Sequence, residues 1–195
     1  IYIMKLVKSI NYLNKILDRY RSDGFKIHLT PTMGALHAGH LKLVKRSKKL
    51  KSIVVVSIFV NPTQFGPKED YKDYPRTLKN DLKVLKKYGA DIVFTPIQKQ
   101  ILSNKTSHKC PQFAIEKRLC GKSRPNYFPG VKNIVLKLFD IVQPDAAFFG
   151  EKDYQQYLVI KKMTESLKLN TRIICVKTVR DRNGLPLSSR NNYLS

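Results

Sequence analysis

Cysteine is scarce in this chain, and the three present, Cys110, Cys120 and Cys175, are scattered and odd in number. That argues against a disulfide framework and a Cys-based structural zinc site, and it fits a reducing cytoplasm. Long apolar runs are missing too: the longest, near Ile53–Val60, is far too short to span a bilayer. There is no repeat, low-complexity tract or disordered tail. The opening "IYIMKLVKSINYL" lacks the small-residue cleavage site of a secretory signal, and Ile1 in first place makes Met4 a candidate natural start. Two phosphate cradles are absent as well. Without G-x-x-x-x-G-K-[ST] or G-x-G-x-x-G, P-loop kinases and dinucleotide oxidoreductases lose their main support.

Acids are the other shortage, with 14 Asp and Glu against 37 Lys and Arg and a formal net charge of +23. Such a balance invites a nucleic-acid reading. Yet Lys outnumbers Arg, and the basic residues are spread along the chain, with only short runs such as Lys45–Lys49 and Lys83–Lys87. Both runs sit at helical spacing and read as solvated surface, so neither nucleic acid nor membrane is expected as a partner. The positive field would favour small anionic substrates.

What is present is a chain of 195 residues, 42% hydrophobic, enough for one well-packed domain. Ile10, Leu13, Ile16, Leu17 and Tyr20 recur at helical spacing, with Gly24 as a stop. "KIHL" (Lys26–Leu29) reads as a strand and His40–Leu50 as a helix. "SIVVVSIFV" (Ser52–Val60) is a β-branched run of the kind buried on both faces of a parallel sheet. An amphipathic helix over Arg76–Tyr88, ended by Gly89, precedes a strand at Asp91–Pro96. Residues from Ile97 to Pro129 break the rhythm and read as an irregular excursion with little defined chemistry. A helix at Val131–Val142, a strand at Asp145–Gly150, a helix at Tyr154–Leu167 and a strand at Thr171–Val179 follow. The alternation predicts an α/β fold: a Rossmann-like open parallel sheet with helices on both faces and right-handed crossovers.

In such sheets ligands bind beyond the carboxyl ends of the strands. Four polar stretches fall there: "PTMGALHAGH", "NPTQFG" (Asn61–Gly66), "GEKDYQQ" (Gly150–Gln156) and "LSSRN" (Leu187–Asn191). Within the first, His37 and His40 lack a nearby third ligand, which disfavours a metal pair. Gly34 permits a tight turn after the strand, and Gly39 lets a ligand approach the backbone between the rings. Imidazoles at a helix amino terminus suit an anion, above all a phosphoryl group gaining charge in a transition state. The bland alternative is a pair of polar residues at a helix start.

The H-x-G-H quartet in "HAGH" resembles the signature of nucleotidylyltransferases and class I aminoacyl-tRNA synthetases. Taken in order, "PTMGALHAGH", "VVSIFVNPTQF", "YPRT", "FFGEKDYQQ" and "SSRNNYLS" resemble the pantothenate synthetase (pantoate–β-alanine ligase) family, from about Phe25 to the end of the chain. The resemblance implies a nucleotidylyltransferase-type fold and a two-step reaction. Pantoate and ATP give pantoyl adenylate and pyrophosphate; β-alanine then attacks the acyl carbon, yielding pantothenate and AMP. It also implies magnesium on the ATP phosphates, with no metal ligand from the protein, and assembly as a homodimer. Residues 1–195 would form the amino-terminal ATP- and pantoate-binding domain, and the family's smaller carboxy-terminal lid domain is expected to lie outside this chain. The alternatives are another H-x-G-H adenylyltransferase, which would lack the Gln64 and Gln156 pair, and a basic RNA-binding module.

The roles implied by the resemblance are specific. His37, His40 and Lys152 would act on the nucleotide phosphates, and Met33, Gly39 and Gly150 would line the adenylate site. Asp153 would accept from the ribose hydroxyls; otherwise it is an N-cap for the following helix. Ser188, Ser189 and Arg190 would hold the β- and γ-phosphates. Gln64 and Gln156 would grip pantoate, since amides donate and accept without adding charge beside the reacting carboxylate. Asn61 would orient that loop or the substrates. The pattern departs from the family at Ala38, where an acid is frequent, and at Tyr127, Pro129 and Asn133, where His, Arg and Thr are frequent.

Overall fold

A computed structural model describes residues 3–48 and 52–191. Six parallel strands form one sheet: β1 (Lys5–Val7), β2 (Ile27–Thr32), β3 (Ile53–Ile58), β4 (Ile92–Phe94), β5 (Ala146–Gly150) and β6 (Arg172–Val176). Their order is β1-β4-β3-β2-β5-β6, and every pairing is parallel. The helices are α1 (Ile10–Ser22), α2 (Ala38–Lys48), α3 (Leu78–Tyr88), α4 (Gln98–Ser103), α5 (Cys120–Ser123), α6 (Tyr127–Val142) and α7 (Tyr154–Ser166).

The two faces of the sheet follow from strand alternation. Along β3, Ile53 and Val55 join a core with α1, α6 and α7 residues such as Leu13, Leu136 and Met163. Val54 and Val56 point the other way, onto Leu41 and Val44 of α2 and Leu85 of α3. This is why a continuous β-branched run, not an alternating one, occupies the strand. Each such side chain contributes roughly 1.5–3 kcal/mol by leaving water.

Several expectations are corrected. The edge strand β1 was not foreseen. The excursion over 97–129 holds two short helices, α4 and α5, and a 3-10 turn at Ala114–Lys117. It also contributes Tyr127 to the lining of the cavity at the strand ends. α6 starts at Tyr127 rather than Val131, and the last strand is shorter than Thr171–Val179. α2 starts at Ala38; the last two residues of the expected helix, 49–50, lie outside the described residues, as does the end of "SSRNNYLS" at 192–195.

Two lysines are buried in α6, Lys132 at 2% exposure and Lys137 at 6%. Lys132 pairs with Glu116 at 2.6 Å and also donates to the carbonyl of Pro111. Lys137 donates to the carbonyls of Ile101 and Leu102 at the end of α4. Both amines are satisfied, as burial of a cation requires, and together they fasten the excursion to α6.

β2 and β5 pair only at His28–Ala146 and Leu29–Ala147. Beyond those pairs β2 runs on to Thr32 and β5 to Gly150 without bonding to each other, which leaves a crevice at their carboxyl ends. The chain order also reverses there, the position where open α/β sheets bind ligands.

Candidate active site

The turn after β2 is built first. Thr32 Oγ1 donates to the Ser57 carbonyl at 2.8 Å and accepts from Gly34 N–H at 3.3 Å. Gly34 has φ +85°, a conformation natural to glycine, and Ala35 follows at φ +50°. The exposed amides of this turn find one partner, the carboxylate of Asp81 on α3. It accepts from Ala35 N–H at 3.1 Å and Leu36 N–H at 2.9 Å, and from the Thr77 hydroxyl at 3.2 Å, while 1% exposed. The motif reading misses Asp81. Its one signal is that it is the only acid in α3.

His37 and His40 then enter the first turn of α2 with ring centroids 4.1 Å apart. Nδ1 of His37 accepts the N–H of Gly39 at 3.1 Å, and Nδ1 of His40 accepts the N–H of His37 at 3.4 Å. A backbone nitrogen can only donate, so both Nδ1 atoms are unprotonated and the neutral rings carry their hydrogen on Nε2. Burial, followed by the charge of Lys152, lowers the pKa of His37. Burial, then His37 and Lys152, hold His40 down at about 3. The pair is therefore neutral near pH 7. Gly39 borders the cavity, and a Cβ there would stand 2.8 Å from Cε1 of His37. The glycine makes room for the imidazole.

Lys152 and Asp153 lie in a 3-10 turn directly after β5. Their side chains are exposed and loosely paired at 3.4 Å. Asp153 occupies the N-cap position of α7 without a side-chain cap hydrogen bond. Gly150 ends β5 with open space where a side chain would be.

A second grouping is made of amides. Asn61, 1% exposed, accepts from the N–H and hydroxyl of Thr63 and donates to the Gly130 carbonyl at 3.2 Å and to Oε1 of Gln64 at 3.1 Å. Asn61 thus orients the loop. Gln64 Nε2 lies 3.2 Å from the sulfur of Met33. Gly130 lets α6 approach this loop, since a Cβ there would meet the Thr63 carbonyl oxygen at 2.2 Å. On the far side Tyr127 donates its hydroxyl to Oε1 of Gln156 at 2.9 Å. Ala38, Pro129 and Asn133 are exposed, whereas Tyr127 lines the cavity.

Two ion pairs that the motifs did not reveal flank the site residues Arg190 and Tyr127. Arg190 makes two hydrogen bonds to Asp70, at 2.8 and 2.7 Å, and Arg124 makes two to Glu69, at 2.5 and 2.6 Å. Each guanidinium holds its carboxyl below the usual range. Ser189 donates to the Ala35 carbonyl at 3.0 Å, and Ser188 Oγ accepts from the N–H of Arg190. In this structure the guanidinium of Arg190 is thus committed to Asp70, and the Ser189 hydroxyl to the motif turn.

One cavity of about 220 Å³ is bordered by Met33, His37, Gly39, His40, Asn61, Gln64, Gly150, Lys152, Asp153, Gln156 and Ser188–Arg190. Among the described residues no three or more His, Cys, Asp or Glu gather in a way that could hold a metal ion. Among the described residues no helix is long and apolar enough to cross a membrane.

Comparison with known proteins points the same way. The family model for pantoate–β-alanine ligase matches residues 5–195. A pantothenate synthetase of Acetivibrio thermocellus is 48% identical over 192 residues, covering 98% of this chain and 68% of the relative. The crystal structure of pantothenate synthetase from Thermus thermophilus superposes with a TM-score of 0.91 at 41% identity, covering 98% of this chain and 68% of that one. Pantoate–β-alanine ligase from Francisella tularensis, solved with beta-gamma ATP and β-alanine, superposes at 0.92 and 41% identity, over 99% of this chain and 74% of that one. The cavity at the β2–β5 crevice and these likenesses converge: this chain belongs to the pantoate–β-alanine ligase family.

Proposed function

We propose that this chain carries the adenylating site of a pantothenate synthetase, joining pantoate to β-alanine at the expense of ATP. The observation that supports this best is the meeting of two groupings in one cavity. Neutral Nε2–H imidazoles at His37 and His40 stand within the field of Lys152, and the amides of Gln64 and Gln156 border the same space.

The carboxylate oxygen of pantoate attacks the α-phosphorus of ATP, and the bond to the bridging oxygen of pyrophosphate breaks. Charge grows on the phosphate oxygens during that step. His37 and His40 donate to them from Nε2 and Lys152 neutralises them, with no proton transfer required. Since the nucleophile is the substrate itself, proximity supplies much of the acceleration. The amine of β-alanine then attacks the acyl carbon, AMP leaves with the C–O bond electrons, and the amine proton passes to solvent.

Asp153 binds the ribose, Met33, Gly39 and Gly150 border the adenylate, and Ser188, Ser189 and Arg190 take the outer phosphates. For Arg190 this means exchanging Asp70 for phosphate oxygens. Magnesium would enter with the triphosphate as part of the substrate and offset charge on its oxygens; among the described residues no acidic cage gathers to hold it. A carboxy-terminal lid that excludes water from the acyl adenylate, a homodimeric assembly and a cytoplasmic setting complete this reading. The glutamine pair favours it over another H-x-G-H adenylyltransferase.

The test is pyrophosphate exchange by the full-length protein. Pantoate alone should support exchange into ATP, and adding β-alanine should drive AMP formation. Absence of pantoate-dependent exchange would overturn the assignment. Sedimentation of the same protein checks the dimer.

A further inference from the structure

We propose that Tyr127 is a positioning residue for the acid substrate, fixing the Gln156 amide so that its two N–H groups face the cavity. This rests on the reading of Gln156 as an acid-binding residue.

A primary amide presents nearly the same shape with oxygen and nitrogen exchanged, so its partner on the protein side decides which end meets a ligand. For Gln64 that decision traces back to groups that cannot be reversed. The N–H of Thr63 can only donate and fixes Oδ1 of Asn61; the Gly130 carbonyl can only accept and fixes Nδ2. Asn61 Nδ2 therefore donates to Oε1 of Gln64, and the nitrogen of that amide, 3.2 Å from the Met33 sulfur, keeps a second N–H for a ligand.

Gln156 has no such backbone anchor. A phenol hydroxyl can donate or accept; here the Tyr127 hydroxyl donates to Oε1 at 2.9 Å, and the Gln156 nitrogen has no protein partner among the described residues. The hydroxyl is itself held in place. The Tyr127 ring lies beneath the Arg124 guanidinium, 4.0 Å from its centroid, and edge-on to Phe128 at 5.0 Å. Arg124 is clamped by Glu69 and also donates to the Gln64 carbonyl at 3.3 Å. Burial pushes the phenol up to about 12, so it remains a donor through the neutral range.

Both glutamines thus have their oxygens occupied by protein donors. The acid is read by N–H groups from two sides, which suits a ligand rich in acceptor oxygens, such as a hydroxy-carboxylate. Loss of the Tyr127 hydroxyl frees Gln156 to turn and weakens acid binding while leaving the nucleotide side untouched.

The experiment measures KM for pantoate and for ATP in pyrophosphate exchange, using full-length protein with Tyr127→Phe, Gln156→Ala and both together. Tyr127→Phe should raise the pantoate KM about 3- to 10-fold, the worth of one hydrogen bond, with the ATP KM unmoved. In the Gln156→Ala background it should add nothing. An unchanged pantoate KM in Tyr127→Phe, or the same rise with Gln156 already removed, overturns the proposal alone. If Gln156→Ala itself leaves the pantoate KM unchanged, the substrate role of Gln156 falls first and that of Tyr127 with it.

Discussion

Nδ1 of His37 accepts the backbone N–H of Gly39 at 3.1 Å, and the same glycine leaves the gap into which that ring fits. One residue therefore sets both the tautomer and the position of the first imidazole. Gly39→Ala would bring a Cβ within 2.8 Å of the ring and displace it. Adenylation should fall on the order of 100-fold, as for a misplacement of about 1 Å, with thermal stability little changed. Pyrophosphate exchange near the parental rate in Gly39→Ala would refute this.

His40→Ala and Lys152→Ala should impair adenylation far more than folding. A donor aimed at developing phosphate charge is worth about 10²- to 10³-fold in kcat. Wild-type exchange rates in both variants would contradict the proposed roles, whatever their melting temperatures.

Asp81 is buried beneath the motif turn and holds the N–H groups of Ala35 and Leu36. Asp81→Ala should destabilise the fold by roughly 1–3 kcal/mol through unsatisfied buried amides. It should also reduce activity by loosening the histidines, and Asp81→Asn should recover part of both losses. Urea unfolding and exchange assays on the two variants measure this; no change in either quantity would rule it out.

Gly130→Ala directs a Cβ at the Thr63 carbonyl oxygen, 2.2 Å away, where backbone must yield. Overpacking of this kind costs typically about 1–3 kcal/mol. The melting temperature should fall by about 2–4 °C per kcal/mol in a chain of this size, and pantoate binding should weaken as Asn61 and Gln64 shift. A melting curve superimposable on the parent's would exclude the contact.

Acid should destabilise the protein early. Burial lowers the pKa of His28, His37 and His40 from 6.5, that of His40 to about 3. In the unfolded chain these rings take protons as pH falls through 6.5, while the native ones resist. Stability is thus highest above that value and declines as pH drops toward the folded pKa values. One proton of difference is worth at most about 1.4 kcal/mol per pH unit. The depressed carboxyls of Glu69, Asp70 and Asp145 add loss in the same direction only near and below their ordinary values of 4.5 and 3.8. Urea midpoints should fall between pH 7 and 5, and NMR of the His40 ring should find it neutral, with its hydrogen on Nε2, at pH 5. A midpoint flat over that range, or a His40 titration near 6.5, would sink this account.

The sheet was readable wherever burial leaves a pattern. "SIVVVSIFV" announced β3 because both of its faces meet cores. β1 left no such trace: three residues, only Val7 buried, held by pairing to β4 at the edge. The start of α6 was hidden by Pro129 and Gly130, which read as breakers. Proline is tolerated in a first turn, where its missing N–H has no helical partner, and Gly130 serves the close approach to Thr63. The motif loops were legible because their chemistry is local. Tyr127 with Gln156, Asp81 with Ala35 and Asp70 with Arg190 were not, because each pair is distant along the chain and joined only by the fold.

The two lysines enclosed by α6 give the molecule an internal clock. Amine-reactive reagents modify surface lysines freely, but Lys132 and Lys137 are 2% and 6% exposed, with their amines engaged by Glu116 and by main-chain carbonyls. Their acylation must wait for the segments around α4 and the 3-10 turn at Ala114–Lys117 to open away from α6. Mass spectrometry of those two peptides, timed against the surface lysines, would report how often that side of the domain opens while the rest stays folded.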